Sequence, residues 1–264
     1  MTQFPLASEF NGKKVLITGA AGVFGRWIVQ AFDQAGADLL LSDLDGAALE
    51  AFADTLSKKP LTHVTDLRDE ASINELLALA EGAWGAPDIL INNAGIYPSS
   101  FLLDMSAEDF DRVFDVNLRA PFLMSKGVAI QMIRAGKGGN IINISSGAAR
   151  KMRSTAVAYS TSKTALDRLN KGFALELAEY GIRVNIVEPG FAAGSTASPL
   201  TEAHVANVLK NIPLGRASGP MDAPNAIMFL CSEAGQFITG TSLAVDGGNS
   251  IGSNVVTQDK KKAL

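Results

Sequence analysis

Cysteine is almost absent from the 264-residue chain: Cys231 is the only one. That excludes an intrachain disulfide and fits a reducing compartment. Histidine is nearly as scarce, at His63 and His204. One cysteine and two separated histidines offer no zinc-ligand spacing, and no metal is expected. An excess of one charge is lacking too. Against 23 Lys and Arg stand 27 Asp and Glu, for a formal net charge of −4. Without a basic block, a nucleic-acid partner has no electrostatic footing. No apolar run approaches the roughly 18 residues of a membrane span. The opening MTQFPLASEF has no basic n-region and carries Glu9 where a signal peptide would be apolar. A cytoplasmic protein with no membrane partner is the expectation. No Pro- or Ser-rich linker divides the chain, so a single domain over 1–264 is expected, with its core at about 12–250 and a polar, lysine-rich tail at 253–264.

What the chain does have is a repeated unit of short aliphatic run, turn and helical stretch. The runs fall at 14–18, 38–43, 61–66, 88–93, 140–145, 182–189 and 242–247. They are apolar throughout rather than alternating, as in parallel strands covered by helices on both faces. The alternation predicts an α/β, Rossmann-type doubly wound parallel sheet of about seven strands. The segment 106–136 reads as one long helix.

The first strand runs into TGAAGVFGR, with Gly19, Gly22 and Gly25 at every third position. In such folds this turn borders the ligand crevice: one glycine serves the tight turn, one close approach to a pyrophosphate, one helix–sheet packing. The amides of the following helix, beginning at Val23 and Phe24, then face the phosphates. Glycines also serve turns for steric reasons alone. Asp43 adds weight, lying 24 residues after Gly19 at the end of the second strand. An acidic residue near that offset accepts hydrogen bonds from the adenosine ribose. It also repels a 2′-phosphate. Two unit charges about 4 Å apart cost roughly 4 kcal/mol at an effective dielectric of 20. Half of that is roughly 30-fold discrimination. Leu44 follows, not a cation, and Arg26 reads as a surface residue of the helix. NAD is the expected cofactor; the competing reading of Asp43 is a turn aspartate.

Tyr159 and Lys163 stand at i and i+4 of a helical segment, 13 residues after Ser146 at a strand end. With NNAG (92–95), DVNL (115–118), VNIVEPG (184–190) and VDGG (245–248), the order and spacing resemble the short-chain dehydrogenase/reductase family over nearly the whole chain. The glycines of the opening turn stand at positions one, four and seven, a spacing seen in the family's extended branch; the length and the Ser–Tyr spacing point to the short one. The resemblance implies a catalytic set of Asn117, Ser146, Tyr159 and Lys163. Tyr159 would move the proton, Lys163 would favour its phenolate and hold the nicotinamide ribose, Ser146 would hold the substrate oxygen, and Asn117 a water leading to solvent. Lowering a phenol from about 10 to near neutrality needs roughly 4 kcal/mol. The resemblance further implies cofactor contacts at Gly19, Gly22, Val23, Phe24, Gly25, Asp43, Leu44, Asp66, Leu67, Asn93, Ala94, Gly95, Tyr159, Lys163, Pro189, Gly190 and Ala192. The family's usual threonine after the Pro189–Gly190 turn is replaced by Gly194, followed by Ser195 and Thr196.

Substrate walls in this family come from the loops after strands four, five and six. Tyr97 is a candidate pocket residue. Arg150, Lys151 and Arg153 follow Ser146 closely and suggest an anionic substrate such as a sugar acid or sugar sulfonate; the alternative is three solvated or interface charges. The third loop is long enough for a lid, and both histidines read as structural. The resemblance implies a homotetramer assembled through the segments 106–135 and 155–180. The expected activity is NAD-dependent hydride transfer to or from a secondary alcohol or cyclic hemiacetal of a sugar or sugar-like polyol. A 3-oxoacyl or hydroxysteroid carbonyl reductase is the alternative enzyme, and an NAD-sensing binding protein the non-enzymatic one.

Overall fold

The computed structural model describes residues 6–192 and 201–252. Seven strands form one sheet: β1 (Lys14–Thr18), β2 (Asp38–Asp43), β3 (Leu61–Val64), β4 (Ile89–Asn92), β5 (Gly139–Ile144), β6 (Ile182–Pro189) and β7 (Ser242–Val245). Their order is β3-β2-β1-β4-β5-β6-β7, and every neighbouring pair is parallel. The helices are α1 (Val23–Gln34), α2 (Gly46–Ala53), α3 (Glu70–Trp84), α4 (Ala107–Phe114), α5 (Ala120–Arg134), α6 (Val157–Leu177), α7 (Glu202–Lys210) and α8 (Asp222–Cys231). The doubly wound α/β architecture expected from the repeated strand–helix units is the fold of the protein.

The strands look uniformly apolar because both faces are buried. Val15 and Ile17 enter the layer that contains Ile28 and Phe32 of α1 and Ile227 of α8. Leu16, pointing the other way, joins Leu76 of α3 and Met124 and Val128 of α5. Each fully buried aliphatic side chain contributes roughly 1.5–3 kcal/mol. The edges differ: β3 leaves Leu61 and Val64 exposed, and β7 is only partly buried along its length.

Two sequence expectations are corrected. The third strand ends at Val64 rather than at Asp66. There the chain turns into α3: the Asp66 amide donates to Ser72 Oγ, and the Asp69 carboxylate caps the helix at the Ala71 amide. The stretch 106–136 is helical without a gap from Ala107 to Arg134, but it is not a regular α-helix throughout. A π-helical turn, Asp115–Arg119, separates α4 from α5, and Pro121 stands in the first turn of α5. Single π turns inside helices often occur at functional sites, and this one carries Asn117.

A chain of buried amides crosses the sheet. Asn92 Nδ2 donates to Ser125 Oγ at 3.1 Å and to Asn143 Oδ1 at 2.9 Å. Asn143 Nδ2 donates to Asn170 Oδ1 at 3.0 Å, and Asn170 Nδ2 reaches the Val184 carbonyl. All three asparagines are buried, so the chain is costly to break: each orphaned group costs about 1–3 kcal/mol. Asn143→Ala strips a partner from both Asn92 and Asn170. It is expected to lower unfolding free energy in urea by about 2–4 kcal/mol; a loss below about 0.5 kcal/mol would contradict a cooperative chain.

Candidate active site

The chain leaves β1 for α1, and β2 and β4 flank β1 on opposite sides. Strand order therefore reverses at β1, which opens a crevice beyond the strands' carboxyl ends. The glycine turn forms one lip. Gly19 has φ +64°, and a Cβ there would stand 2.7 Å from Ala94 Cα; one on Gly25 would collide with the Gly19 carbonyl oxygen. Both glycines are demanded by the fold itself. Gly22 is not: a Cβ there would meet only Gly19 O, at an ordinary 3.4 Å. It stands as the N-cap of α1 with no side-chain cap, beside helix amides that face the crevice. Its bare Cα suits close approach by a phosphate.

Asn93 staples this lip to β4. Its Nδ2 donates to the carbonyls of Thr18 and Gly19, and Thr18 Oγ1 accepts from the amides of Asn93 and Ala94. Asp43 accepts from the Ala21 amide at 2.9 Å and the Asp45 amide at 3.2 Å. The helix cap is Asp45, bonded to the Ala48 amide, while the Asp43 bond to the Asp45 amide is that of a turn aspartate. A carboxylate has about four acceptor positions, and those left over suit ribose hydroxyls. Leu44 is 63% exposed beside it. Arg26 Nε donates to the Ala21 carbonyl at 2.8 Å, and its guanidinium lies 4.6 Å from the centre of the Phe52 ring. That cation is partly buried against the Phe52 ring.

Further along, the Asp66 carboxylate is gripped by Arg68, whose hydrogen bonds hold it below the usual carboxylate pKa despite partial burial. Leu67 packs against the core layer beneath α3 and α5. Gly190 donates its amide to the Val245 carbonyl at 2.9 Å, which ties the end of β6 to β7. Ala192 closes the described part of the loop, and Gly194, Ser195 and Thr196 lie outside the described residues. His63 Nδ1 meets Thr65 Oγ1, itself bonded to Ser42 Oγ, a structural engagement. His204 falls in α7.

Across the crevice the structure gathers Asn117, Ser146, Tyr159 and Lys163. Ser146 ends its strand run in an extended conformation and caps a short 3-10 turn, Gly147–Ala149, accepting from the Ala148 amide at 3.2 Å. Its hydroxyl acts on the phenol of Tyr159, pulling that pKa down. Ser145 is buried and turned toward the Lys163 carbonyl; geometry separates two serines that composition could not. Lys163 is 4% exposed and donates from Nζ to the Ile144 carbonyl at 2.8 Å. Burial lowers its pKa from 10.5 to about 8. Its Nζ lies 5.9 Å from the centre of the Tyr159 ring. The Asn117 side chain is engaged on both sides: Oδ1 accepts from the Ile96 amide, while Nδ2 donates to the Ile96 carbonyl and Ser162 Oγ. A Cβ on Gly95 would stand 3.3 Å from Asn117 Oδ1 and 3.4 Å from Lys163 Nζ, so this backbone passes directly over both.

Burial raises the Tyr159 pKa above 10, the Ser146 hydroxyl and Arg153 pull it down, and Tyr97 adds to the rise. The Tyr97 and Tyr159 rings stand edge to face at 6.0 Å. Thr155 is the one non-glycine among the described residues with positive φ, at 66°. Its carbonyl accepts from the Ser100 amide and its hydroxyl pairs with Ser99, which ties the loop after β4 to the loop after β5. The three basic residues part company. Arg153 is exposed and its charge acts on Tyr159. Arg150 bonds Glu188 Oε2 and the Ser242 carbonyl, and Lys151 bonds the Asn249 carbonyl. The Arg150 guanidinium is thus shared with Glu188 and the Ser242 carbonyl. Sequence reasoning missed Thr18, Ser162 and Glu188. For Glu188 the signal was present, as a charge inside the otherwise apolar end of β6 (IVEP).

A parallel sheet with this crevice, glycine lip and Ser–Tyr–Lys cluster defines a Rossmann-type nicotinamide-nucleotide oxidoreductase. Comparison with known proteins narrows the class. Residues 19–250 match the family described as enoyl-(acyl carrier protein) reductase. The chain is 34% identical over 253 residues to galactitol 2-dehydrogenase of Agrobacterium fabrum, covering 91% of this chain and 98% of that one. It is 33% identical over 240 residues to the 3-oxoacyl-(acyl-carrier-protein) reductase of Escherichia coli, with the same coverage. Among solved structures, a short-chain type dehydrogenase/reductase from Mycobacterium marinum superposes with a TM-score of 0.85 at 33% identity, covering 91% and 96% of the two chains. A 3-ketoacyl-(acyl-carrier-protein) reductase from Brucella melitensis, complexed with NADH, gives 0.83 at 31%, covering 91% and 99%. The chain belongs to the short-chain dehydrogenase/reductase family and is a dehydrogenase or reductase acting on CH–OH or carbonyl groups with a nicotinamide cofactor. Among the described residues no helix is long and apolar enough to cross a membrane.

Two tests follow from this geometry. Gly22→Ala should leave the melting temperature within about 2 °C of wild type while weakening nicotinamide-nucleotide binding, whereas Gly25→Ala should fail to accumulate as folded protein. Equal behaviour of the two variants would remove the case for a phosphate at Gly22. Separately, Lys163 has a folded pKa near 8 and an ordinary value of 10.5. Between those pH values the unfolded chain binds more protons, so stability rises with pH across that window. The melting temperature of wild type should therefore gain on that of Lys163→Met from pH 8 to 10; parallel curves would contradict a buried, titrating ammonium.

Proposed function

We propose that the protein is an NAD-dependent alcohol dehydrogenase in which Tyr159 is the general acid/base. The gathering of Ser146, Tyr159 and buried Lys163 at one point, with Lys163 Nζ 5.9 Å from the centre of the phenol ring, is the observation that supports this most. Both hydroxyls converge where a substrate oxygen would sit. Ser146 would hold that oxygen and steady its charge. Tyr159 would take the alcohol proton or return it in reverse. Lys163 has two donors beyond the one spent on Ile144, which suit the nicotinamide ribose and a water. Because the Asn117 side chain is occupied by Ile96 and Ser162, a water-holding role for Asn117 would fall to its main chain in the π turn. The cofactor, when bound, accepts or supplies the hydride, and oxidised nicotinamide adds a positive charge beside the phenol. That added charge is what the raised pKa of the lone protein calls for.

Gly19, Gly22, Gly25 and the first turn of α1 at Val23 and Phe24 would hold the pyrophosphate. Asp43 and Leu44 would meet the adenosine ribose. Asp66 and Leu67 would border the adenine, Asn93, Ala94 and Gly95 would pass beneath the cofactor, and Pro189, Gly190 and Ala192 would approach the carboxamide. Asp43, with Arg26 already engaged, favours NAD over NADP.

For substrate, a sugar-like polyol or cyclic hemiacetal is the first reading, supported by the resemblance to galactitol 2-dehydrogenase. Tyr97 and Arg153 are the pocket contacts proposed; Arg150 is withdrawn because its guanidinium is held by Glu188. A second reading, a 3-oxoacyl or hydroxysteroid substrate, is favoured by the apolar loops around the crevice: Phe101, Leu102, Leu103 and Met152 are all more than half exposed. Exposed Phe122, Ile130 and Ile133 on α5 and Leu175 on α6 support assembly through these helices into a homotetramer.

Initial rates with NAD and NADP on polyols, sugar acids, 3-oxoacyl thioesters and hydroxysteroids test the proposal. NAD should be preferred by roughly 30-fold or more, with Asp43→Asn eroding the preference. Tyr159→Phe should cost about 10²–10⁴ in kcat. Preference for NADP, or an active Tyr159→Phe, would overturn the assignment. The substrate that turns over decides between the two readings.

A further inference from the structure

The 3-10 turn that follows Ser146 is built from Gly147, Ala148 and Ala149. None of these carries a polar side chain, so the turn cannot anchor itself. Its anchors come from outside. Thr164 Oγ1 on α6 donates to the Ala149 carbonyl at 3.0 Å. Arg150, the residue that closes the turn, donates from Nε to Glu188 Oε2 at 2.6 Å and from Nη2 to the Ser242 carbonyl at 3.1 Å. Glu188 immediately precedes Pro189 and Gly190, and its side chain is only 3% exposed. The carboxylates around it are otherwise engaged: Asp167 by Lys171 and Ser242 Oγ, Asp246 by the amides of Gly248 and Ser250. Both disfavour a charged Glu188, as does its burial, and Arg150 is the cation that compensates. A buried carboxylate held by a single guanidinium is expensive to keep. It joins the two segments that flank the reacting centre, the Ser146 turn and the Pro189–Gly190 turn.

We infer that Arg150 and Glu188 are a positioning pair, which fixes the Ser146 hydroxyl against Tyr159 and sets the Ser146 turn in register with the Pro189–Gly190 turn. This rests on the roles given to Ser146 and Tyr159 under the proposed function. Neither member touches substrate; each acts through backbone it holds. Loosening the pair lets Ser146 swing away from the phenol while the glycine lip and Asp43, on the far side of the crevice, keep their grip on the cofactor.

The test compares Arg150→Gln, Glu188→Gln, the double variant and Arg150→Lys, at a temperature where circular dichroism shows each folded. Either single glutamine variant should lower kcat about tenfold or more, with KM for NAD changed less than about threefold. The double variant should be no worse than the poorer single, because both break one pair. Arg150→Lys, which keeps the charge, should recover part of the loss. A merely structural pair would lower the melting temperature and leave kcat within about twofold, which would overturn the inference. So would a rise in KM confined to acidic substrates, since Arg150 would then meet substrate. A readout independent of turnover comes from the three tyrosines, Tyr97, Tyr159 and Tyr180. With ¹³Cζ-tyrosine and Tyr159→Phe for assignment, Arg150→Gln should move the Tyr159 resonance and leave that of Tyr180 in place. If wild type turned over no substrate, the proposed function would fall while this resonance still decided the pair; an unmoved Tyr159 signal would end it.

Discussion

An ammonium buried beneath a phenol is the constraint around which the crevice is organised. Lys163 is almost wholly out of water, and among the described residues no carboxylate is paired with it. Its charge is met by the Ile144 carbonyl at the very end of β5. A lone cation in such a place is tolerable only if strand end, helix and overlying backbone stay where they are. The surrounding structure meets that need. The π turn delivers Asn117 to clamp the Ile96 backbone, Ser162 braces Asn117, and Gly95 passes overhead without a side chain. The sheet beneath is laced by the amides of Asn92, Asn143 and Asn170. The reward is chemical: a donor already desolvated, aimed into a crevice, with a pKa close enough to neutrality to respond to what binds there.

The opposite lip meets a different demand, the close approach of backbone to backbone. Gly19 and Gly25 allow β1, β4 and α1 to converge, and Asn93 stitches the result by donating to the Thr18 and Gly19 carbonyls. Asp43 belongs to both structure and chemistry. It fastens the Ala21 amide and still offers oxygen atoms outward. On the other side of the crevice the loops after β4 and β5 are tied to each other through Thr155, Ser99 and Ser100. This division fits a family in which one nicotinamide site serves many substrates.

Much of this was legible in the residues. The strand–turn–helix rhythm predicted the sheet, because burial on two faces leaves a continuous apolar signature. The spacing of Ser146, Tyr159 and Lys163 marked a cluster that the fold does bring together. Other features were hidden for physical reasons. The break at Asp115–Arg119 is invisible to periodicity, since a π turn shifts register by one residue without changing composition. The edge character of β3 shows only when its neighbours are known. Arg150 read as a substrate contact because proximity in sequence to Ser146 says nothing of which way a long side chain runs; its partner lies 38 residues away on another strand. The elevated phenol of Tyr159 could not be read from an i, i+4 lysine, because burial acts through three-dimensional surroundings.

By itself, then, the sequence determined the doubly wound sheet and the glycine lip with an acid after it, since each is encoded in local pattern and spacing, while its family resemblance singled out Asn117, Ser146, Tyr159 and Lys163 as one set. Tertiary structure alone decided which glycine is free of steric duty and which arginine acts on Tyr159. Those questions turn on directions and distances between residues far apart in the chain, and only packing sets them.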